Sequence, residues 1–193
     1  MDTPKLNFDW FIPLSEQAKT LGEAYSELAA FGDNQNAIPF IVQMVENPKF
    51  DLPGIDIFNG ATSLKTHDFI HILLGRGILP KDEAFVIGFT MGSTNRVSAV
   101  EEKLYGLFSR FLYPKEFRFS DTDFEVYKDA LRLGFISDCQ PLDKVDYEAL
   151  MHLSLEDARK AIGIESSLIR AYYEIEKRRY PDERESQRLL QEA

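Results

Sequence analysis

Cysteine is nearly missing: Cys139 is the only one in 193 residues. An intramolecular disulfide is therefore excluded, and a reducing compartment is expected. Basic residues are also short. The chain holds 22 Lys and Arg against 32 Asp and Glu, a net charge of −10. Nucleic-acid binding needs a basic surface that releases counterions, so nucleic acid is excluded as a main partner. A purely electrostatic hold on anionic membrane is disfavoured for the same reason, while apolar contact with lipid stays open. No apolar run approaches the roughly 20 residues that span a bilayer. The opening "MDTPKLNFDWFIPLSEQ" lacks a basic stretch followed by an apolar one. Neither a secretory signal nor an Arg-rich transit peptide is expected there. The expectation is a cytoplasmic protein, open to peripheral contact with the inner face of the plasma membrane. Repeats, low-complexity tracts and alternating strand patterns are missing too.

What remains is helical periodicity and a large aromatic content, with 15 Phe and 8 Tyr. "LSEQAKTLGEAYSELAAFGD" reads as a helix with Ser15 as N-cap and Gly32 as stop. "NAIPFIVQMVEN" is a short apolar helix, and "FDLPGIDIFNG" is a loop punctuated by Pro and Gly. "TSLKTHDFIHILLGRG" begins at Thr62 or Ser63 and stops at Gly75 or Gly77. The next helix starts at Pro80, a residue suited to a first turn. "RVSAVEEKLYGLFSRFLY" carries Val97, Val100, Leu104, Leu107, Phe108 and Phe111 on one stripe. "SDTDFEVYKDALRLGF" has Ser120 or Asp121 as cap and Gly134 as C-cap. "SLEDARKAIGI" is capped by Ser154 with Asp157. A last helix covers "ESSLIRAYYEIEKRRY". The expectation is a single all-α domain over residues 1–180, a bundle of about seven or eight helices. Residues 181–193 are expected to be a polar, loosely held tail.

The chemistry concentrates in "THDFIHILLGRGILPKDE", residues 66–83. At about 100° per residue, His71 falls about 40° from His67 and Asp68 about 100° from it. Two imidazoles and a carboxylate thus form one polar stripe on a helix whose other positions are Phe69, Ile70, Ile72, Leu73 and Leu74. Histidines four apart lie one above the other and can meet on one ion. A turn at Gly75 and Gly77 then brings Glu83, in the first turn of the next helix, to the height of His71. Glu83 shares its own stripe with Ile87, Thr90 and Met91, where an unpaired carboxylate is costly. His67, Asp68, His71 and Glu83 make a two-nitrogen, two-oxygen shell suited to zinc. A two-His-one-carboxylate Fe(II) site is the alternative. The competing reading is a stripe facing water, with Asp82 and Glu83 complementing the helix dipole.

His-Asp-x-x-His followed by eleven residues and Glu resembles the metal signature of the coenzyme Q biosynthesis protein four family. Here it reads "HDFIH", "ILLGRGILPKD" and Glu83. The later "HLSLEDARKAIGI" resembles that family's Leu-rich, Arg-containing segment, and the helical layout and length agree. The resemblance implies a zinc-binding, membrane-peripheral protein of ubiquinone or another prenylquinone biosynthesis. It implies His67, Asp68, His71 and Glu83 as ligands and a polyprenylated ring intermediate as ligand or substrate. It also implies C1 decarboxylation and hydroxylation, and quinone-biosynthesis enzymes as partners. The chain lacks a mitochondrial extension, which suggests a bacterial member.

If all four ligands bind, the site is closed and structural. If one carboxylate stays free, a decarboxylase is expected, with Asp68 or Glu83 as catalytic proton-transfer group. A non-catalytic lipid-binding scaffold is the second reading, and a zincin-like hydrolase the third. The third is weakened by Asp68, which is shorter than the usual Glu base. A homodimer stays open.

A polyprenyl chain needs an apolar groove. Ala84, Gly88 and Gly92 form a small-residue stripe, and Phe85, Phe89, Phe108, Phe111, Leu112 and Tyr113 add bulk. Ordinary helix packing is the rival account of each. Gly54 to Gly60 suggests a lid or, more simply, a turn. "GSTNR", residues 92–96, suggests an anion contact through Arg96 against a plain helix connection. "EKRRY" reads as a solvated face with a lipid head-group contact as the sharper option. His152 is expected to be structural and Cys139 inert.

Overall fold

The computed structural model describes residues 10–35, 64–94 and 119–192. Among the described residues the chain is all-α. Eight α-helices and one 3-10 turn are present, with a single isolated bridge between Thr20 and Ser154. In chain order the helices are α1 (Leu21–Gln35), α2 (Leu64–Leu74), α3 (Pro80–Ser93) and α4 (Asp121–Ile136). The 3-10 turn Leu142–Lys144 follows. Then come α5 (Tyr147–Leu150), α6 (Leu155–Ile162), α7 (Ser166–Arg179) and α8 (Arg184–Gln187). The expected helices at 36–47 and 96–113, the loop at 50–60 and the caps Thr62 and Ser63 lie outside the described residues.

Local chemistry explains most boundaries. Pro80 opens α3, and Asp82 closes its capping interaction by accepting from the Leu79 N–H at 3.1 Å. Ser120 caps α4 and Ser154 caps α6, each accepting from an N–H three residues on. Three expected boundaries are corrected. Helix α1 starts at Leu21 because Thr20 and Glu23 satisfy each other's backbone N–H groups; Ser15 instead donates to the Gln191 carbonyl. The helix also runs through Gly32 to Gln35. Helix α4 passes through Gly134 to Ile136.

The reason for Gly134 is the α3–α4 crossing, the most extensive helix pairing among the described residues. Lys81 at the start of α3 meets Asp123 and Thr122 at the start of α4. Gly88 lies on the Tyr127–Ala130 turn, and Gly92 on Leu131 and Phe135. The two helices therefore run in the same direction, backbone against backbone. A Cβ on Gly88 would overlap the Tyr127 carbonyl, and one on Gly134 the Phe89 carbonyl. This corrects the groove expectation for Ala84, Gly88 and Gly92: Gly88 and Gly92 are filled over by α4, and Ala84 is buried in the α3–α4 core cluster. Phe89 is a core side chain stacked on Phe85 at 5.9 Å. Phe108, Phe111, Leu112 and Tyr113 lie outside the described residues. Gly134→Ala is expected to lower stability by about 2–3 kcal/mol, since neither backbone can yield without moving a helix. Urea denaturation would show it as a lower midpoint at unchanged slope.

The main core joins α1, α2, α3, α6 and α7 with the segment from Trp10 to Leu14. The C-terminal segment, expected as a loose tail, packs into it: Leu189 and Ser186 are fully buried and Arg188 nearly so. Apolar Leu189 joins the core and Arg188 finds a buried carboxylate. Among the described residues, no helix is long and apolar enough to cross a membrane.

Candidate metal centre

Helix α2 is anchored before it presents anything. Phe69 packs between Tyr25 of α1 (4.8 Å between ring centroids) and Tyr147 of α5 (5.3 Å). At its C-terminus each of the last four carbonyls, from His71 to Leu74, has a donor. The Arg76 N–H reaches the His71 carbonyl at 3.0 Å and the Gly75 N–H the Ile72 carbonyl at 3.2 Å. Gly75 adopts φ 68°, the left-handed conformation that lets a helix end this way. The Arg159 Nε donates to the Leu73 carbonyl at 2.9 Å, and the Tyr173 hydroxyl to the Leu74 carbonyl at 2.6 Å. Helices α6 and α7 thus grip the end of the histidine helix.

On that fixed helix, His67 and His71 point inward, both buried, with Nε2 atoms 2.8 Å apart. Glu83 comes from the first turn of α3. Its Oε2 lies 3.0 Å from His67 Nε2, and its Oε1 lies 3.3 Å from His71 Nε2. These three residues form the group whose donor atoms converge closely enough for one ion. Asp68 is outside it. Its stem leaves the helix to one side of the two histidines, and its short side chain stays half-buried beside the site. Of the four residues expected as ligands, His67, His71 and Glu83 are brought together and Asp68 is not part of the group.

The protons show why the group suits a cation. His71 Nδ1 sits 2.6 Å from the Gly77 carbonyl, which can only accept, so Nδ1 carries a hydrogen. Neutral His71 then turns a lone pair on Nε2 toward both His67 and Glu83. His67 Nε2 has at most one hydrogen and two acceptors in front of it. A proton or a metal ion is required between these lone pairs. Burial pulls His71's proton affinity down, but Glu83 outweighs it and leaves its pKa above the usual value. His67 is shifted the other way, chiefly by burial. Burial opposes ionisation of Glu83, yet the two imidazoles hold its carboxyl well below the ordinary range. Burial raises Asp68 to about 6. Donor separations near 3 Å are those of neighbouring ligands on an ion with bonds of about 2.0–2.2 Å. Two histidines and one glutamate are a set used by catalytic zinc and by non-haem Fe(II), in both cases with coordination positions left open.

Other expected features resolve toward packing. Ser93 is buried, donating to the Thr90 carbonyl and accepting from the Leu142 N–H, so this part of "GSTNR" is a helix connection. Asn95, Arg96 and the 54–60 segment lie outside the described residues. Cys139 is buried, and burial raises its thiol pKa, as an inert cysteine requires. His152 is exposed in a turn.

A second group was not visible in the sequence. Arg76 is fully buried between the rings of Phe85 (4.0 Å) and Tyr173 (4.4 Å). It donates to both oxygens of Glu176, at 3.0 and 2.5 Å. Glu176 belongs to the stretch expected to face solvent, and it is 1% exposed. Asp82, also fully buried, pairs with Arg188 and stands 3.8 Å from Arg76.

Comparison with protein-family models, with curated proteins and with solved structures finds no match to this chain.

Proposed function

We propose that this chain is a metal-binding protein of ubiquinone or prenylquinone biosynthesis that binds a polyprenylated ring intermediate and assists its C1 decarboxylation or hydroxylation. The observation that carries the proposal is the buried convergence of His67, His71 and Glu83. The His-Asp-x-x-His spacing with Glu83 twelve residues on supports the quinone assignment.

Zinc is the first candidate and Fe(II) the alternative. A divalent ion held by these three residues supplies Lewis-acid stabilisation of charge on a ring carboxylate or hydroxyl. The protein's own contribution is separable. The two buried imidazoles hold Glu83 in its ionised form. Asp68, with a pKa near 6, is poised to pass a proton at neutral pH. Partners of this reading are the prenylated precursor, other enzymes of the same route and a membrane surface that delivers the lipid.

A scaffold that presents prenyl lipid without chemistry is the second reading. It is favoured by the placing of the three donors on either side of one tight turn, where an ion would serve to fix the α2–α3 hairpin. Metal content and extracted lipid, measured on purified wild type and His67→Ala, test the proposal. Wild type is expected to hold about one ion per chain and His67→Ala essentially none, with an unchanged helical spectrum. A wild type without stoichiometric metal overturns the metal reading. Incubation with a prenylated 4-hydroxybenzoate, under air and with iron supplied, is expected to give a product that has lost its carboxyl group. Bound lipid without product selects the scaffold, and neither lipid nor product removes the quinone assignment.

A further inference from the structure

We infer that Arg188, held by Asp82, is a positioning residue for the metal centre, acting through the Gly77 carbonyl on the tautomer of His71. The inference rests in part on the metal reading above, because its consequence is a Nε2 lone pair made ready for an ion.

The turn from Gly75 to Leu79 is fixed at each point. Gly75 lies against Leu14, with room for no Cβ: its nearest neighbour would be the Leu14 nitrogen at 2.7 Å. The Leu79 N–H is held by Asp82 Oδ2. That same oxygen takes a charge-assisted hydrogen bond from Arg188 Nη2. Between these ends, the Arg188 guanidinium and the Trp10 carbonyl close on Gly77 so tightly that any side chain there would overlap both. Arg188 is itself steadied over the Phe11 ring at 4.7 Å. The outcome is a Gly77 carbonyl aimed at His71 Nδ1, 2.6 Å away.

A carbonyl in that place demands a hydrogen on Nδ1 and so leaves Nε2 bare. Metal-bound histidines commonly donate their other N–H to a carbonyl or carboxylate, and loss of such a partner costs about 10–100-fold in metal affinity. Here the partner is a backbone atom, so its placement depends on what holds the turn. Asp82 and Arg188 do so together, 106 residues apart in sequence. Neither touches the three converging donor atoms.

The test uses Asp82→Asn, Arg188→Gln and the double variant, which removes both charges and strands neither. Nitrogen-15 NMR of the metal-free proteins reads the His71 tautomer, and competition with a chelating dye reads Zn2+ affinity. Above the pKa of His71, wild type is expected to show the Nδ1–H form alone. The variants are expected to show a growing share of the Nε2–H form and about 10–100-fold weaker Zn2+ binding. A loss of stability by itself does not move a tautomer, so this readout separates positioning from general loosening. Folded variants with wild-type tautomer and wild-type affinity overturn the inference, as does a wild type in the Nε2–H form. If wild type binds no Zn2+ while the variants shift the tautomer, the metal reading fails and the positioning role stands. If a single variant does not fold, the double variant decides the matter by the same two measurements.

Discussion

Glu176→Ala is expected to cost about 3–5 kcal/mol of folding stability, the largest single effect in the molecule. The substitution strands the Arg76 guanidinium, fully buried, with both of its Glu176 hydrogen bonds gone. It also frees the Ser186 hydroxyl, which donates to the same carboxylate at 2.9 Å. What is left to Arg76 is the Tyr173 hydroxyl at 3.1 Å, two ring faces and Asp82 at 3.8 Å, already engaged by Arg188. A charge in that position attracts no water to replace the lost partner. Domains of ordinary stability hold about 5–15 kcal/mol, so roughly a fifth or more of the total is at stake. Removing both charges together should behave differently. Arg76→Met with Glu176→Met leaves nothing stranded and is expected to be near neutral, since buried ion pairs gain little over well-packed apolar side chains. Chemical denaturation of the two variants makes the comparison. A single variant that loses less than about 1 kcal/mol, or a double that loses as much as the single, contradicts this account.

Zinc is expected to raise the melting temperature by roughly 8–16 °C over the chelator-treated protein, when free Zn2+ is about a thousand times its Kd. Binding to the folded state alone contributes about 4 kcal/mol at that ratio, and each kcal/mol moves a domain of this size by roughly 2–4 °C. Calorimetry with and without EDTA reads the shift directly, and His67→Ala should abolish it. The shift should shrink as pH falls. His71 has a folded pKa above its ordinary value. Its protonated form therefore stabilises the metal-free fold fully below the ordinary value, and that contribution is lost as pH rises through the folded pKa. As pH falls, His71 thus favours its protonated, metal-free form, and the proton competes for the atom the ion needs. A melting temperature that ignores zinc, or a shift that grows toward acid, contradicts the site.

The two predictions divide along the line of what was legible. The metal donors were readable because they are local. His67 and His71 share a helix face by periodicity alone, and Glu83 follows across one short turn. Asp68 was harder, since the helical wheel says which way a stem leaves but not whether a two-carbon side chain reaches. The small-residue stripe on α3 was visible, but its meaning was not. Gly88 and Gly92 suit a ligand or a neighbouring backbone equally well until α4 is placed. Arg76, Asp82, Glu176 and Arg188 carried no signal, because each looks like a solvated charge within its own segment. Their pairings span 100 and 106 residues, and pattern within a helix holds no information at that range. The C-terminal segment misled for the same reason: polar composition suggested a loose tail, while its partners lay in the metal hairpin.

That separation also sets an order of events during synthesis. Chains grow at about 5–20 residues per second, so Glu176 and Arg188 follow their partners Arg76 and Asp82 by roughly 5–20 seconds. Through that interval the nascent hairpin carries Arg76 and Asp82 without Glu176 and Arg188, the groups that engage them most closely. The two histidines can meet early, but the turn that sets His71 waits for the far end of the described chain. The final setting of the His67–His71–Glu83 cluster therefore waits until Arg188 has been made.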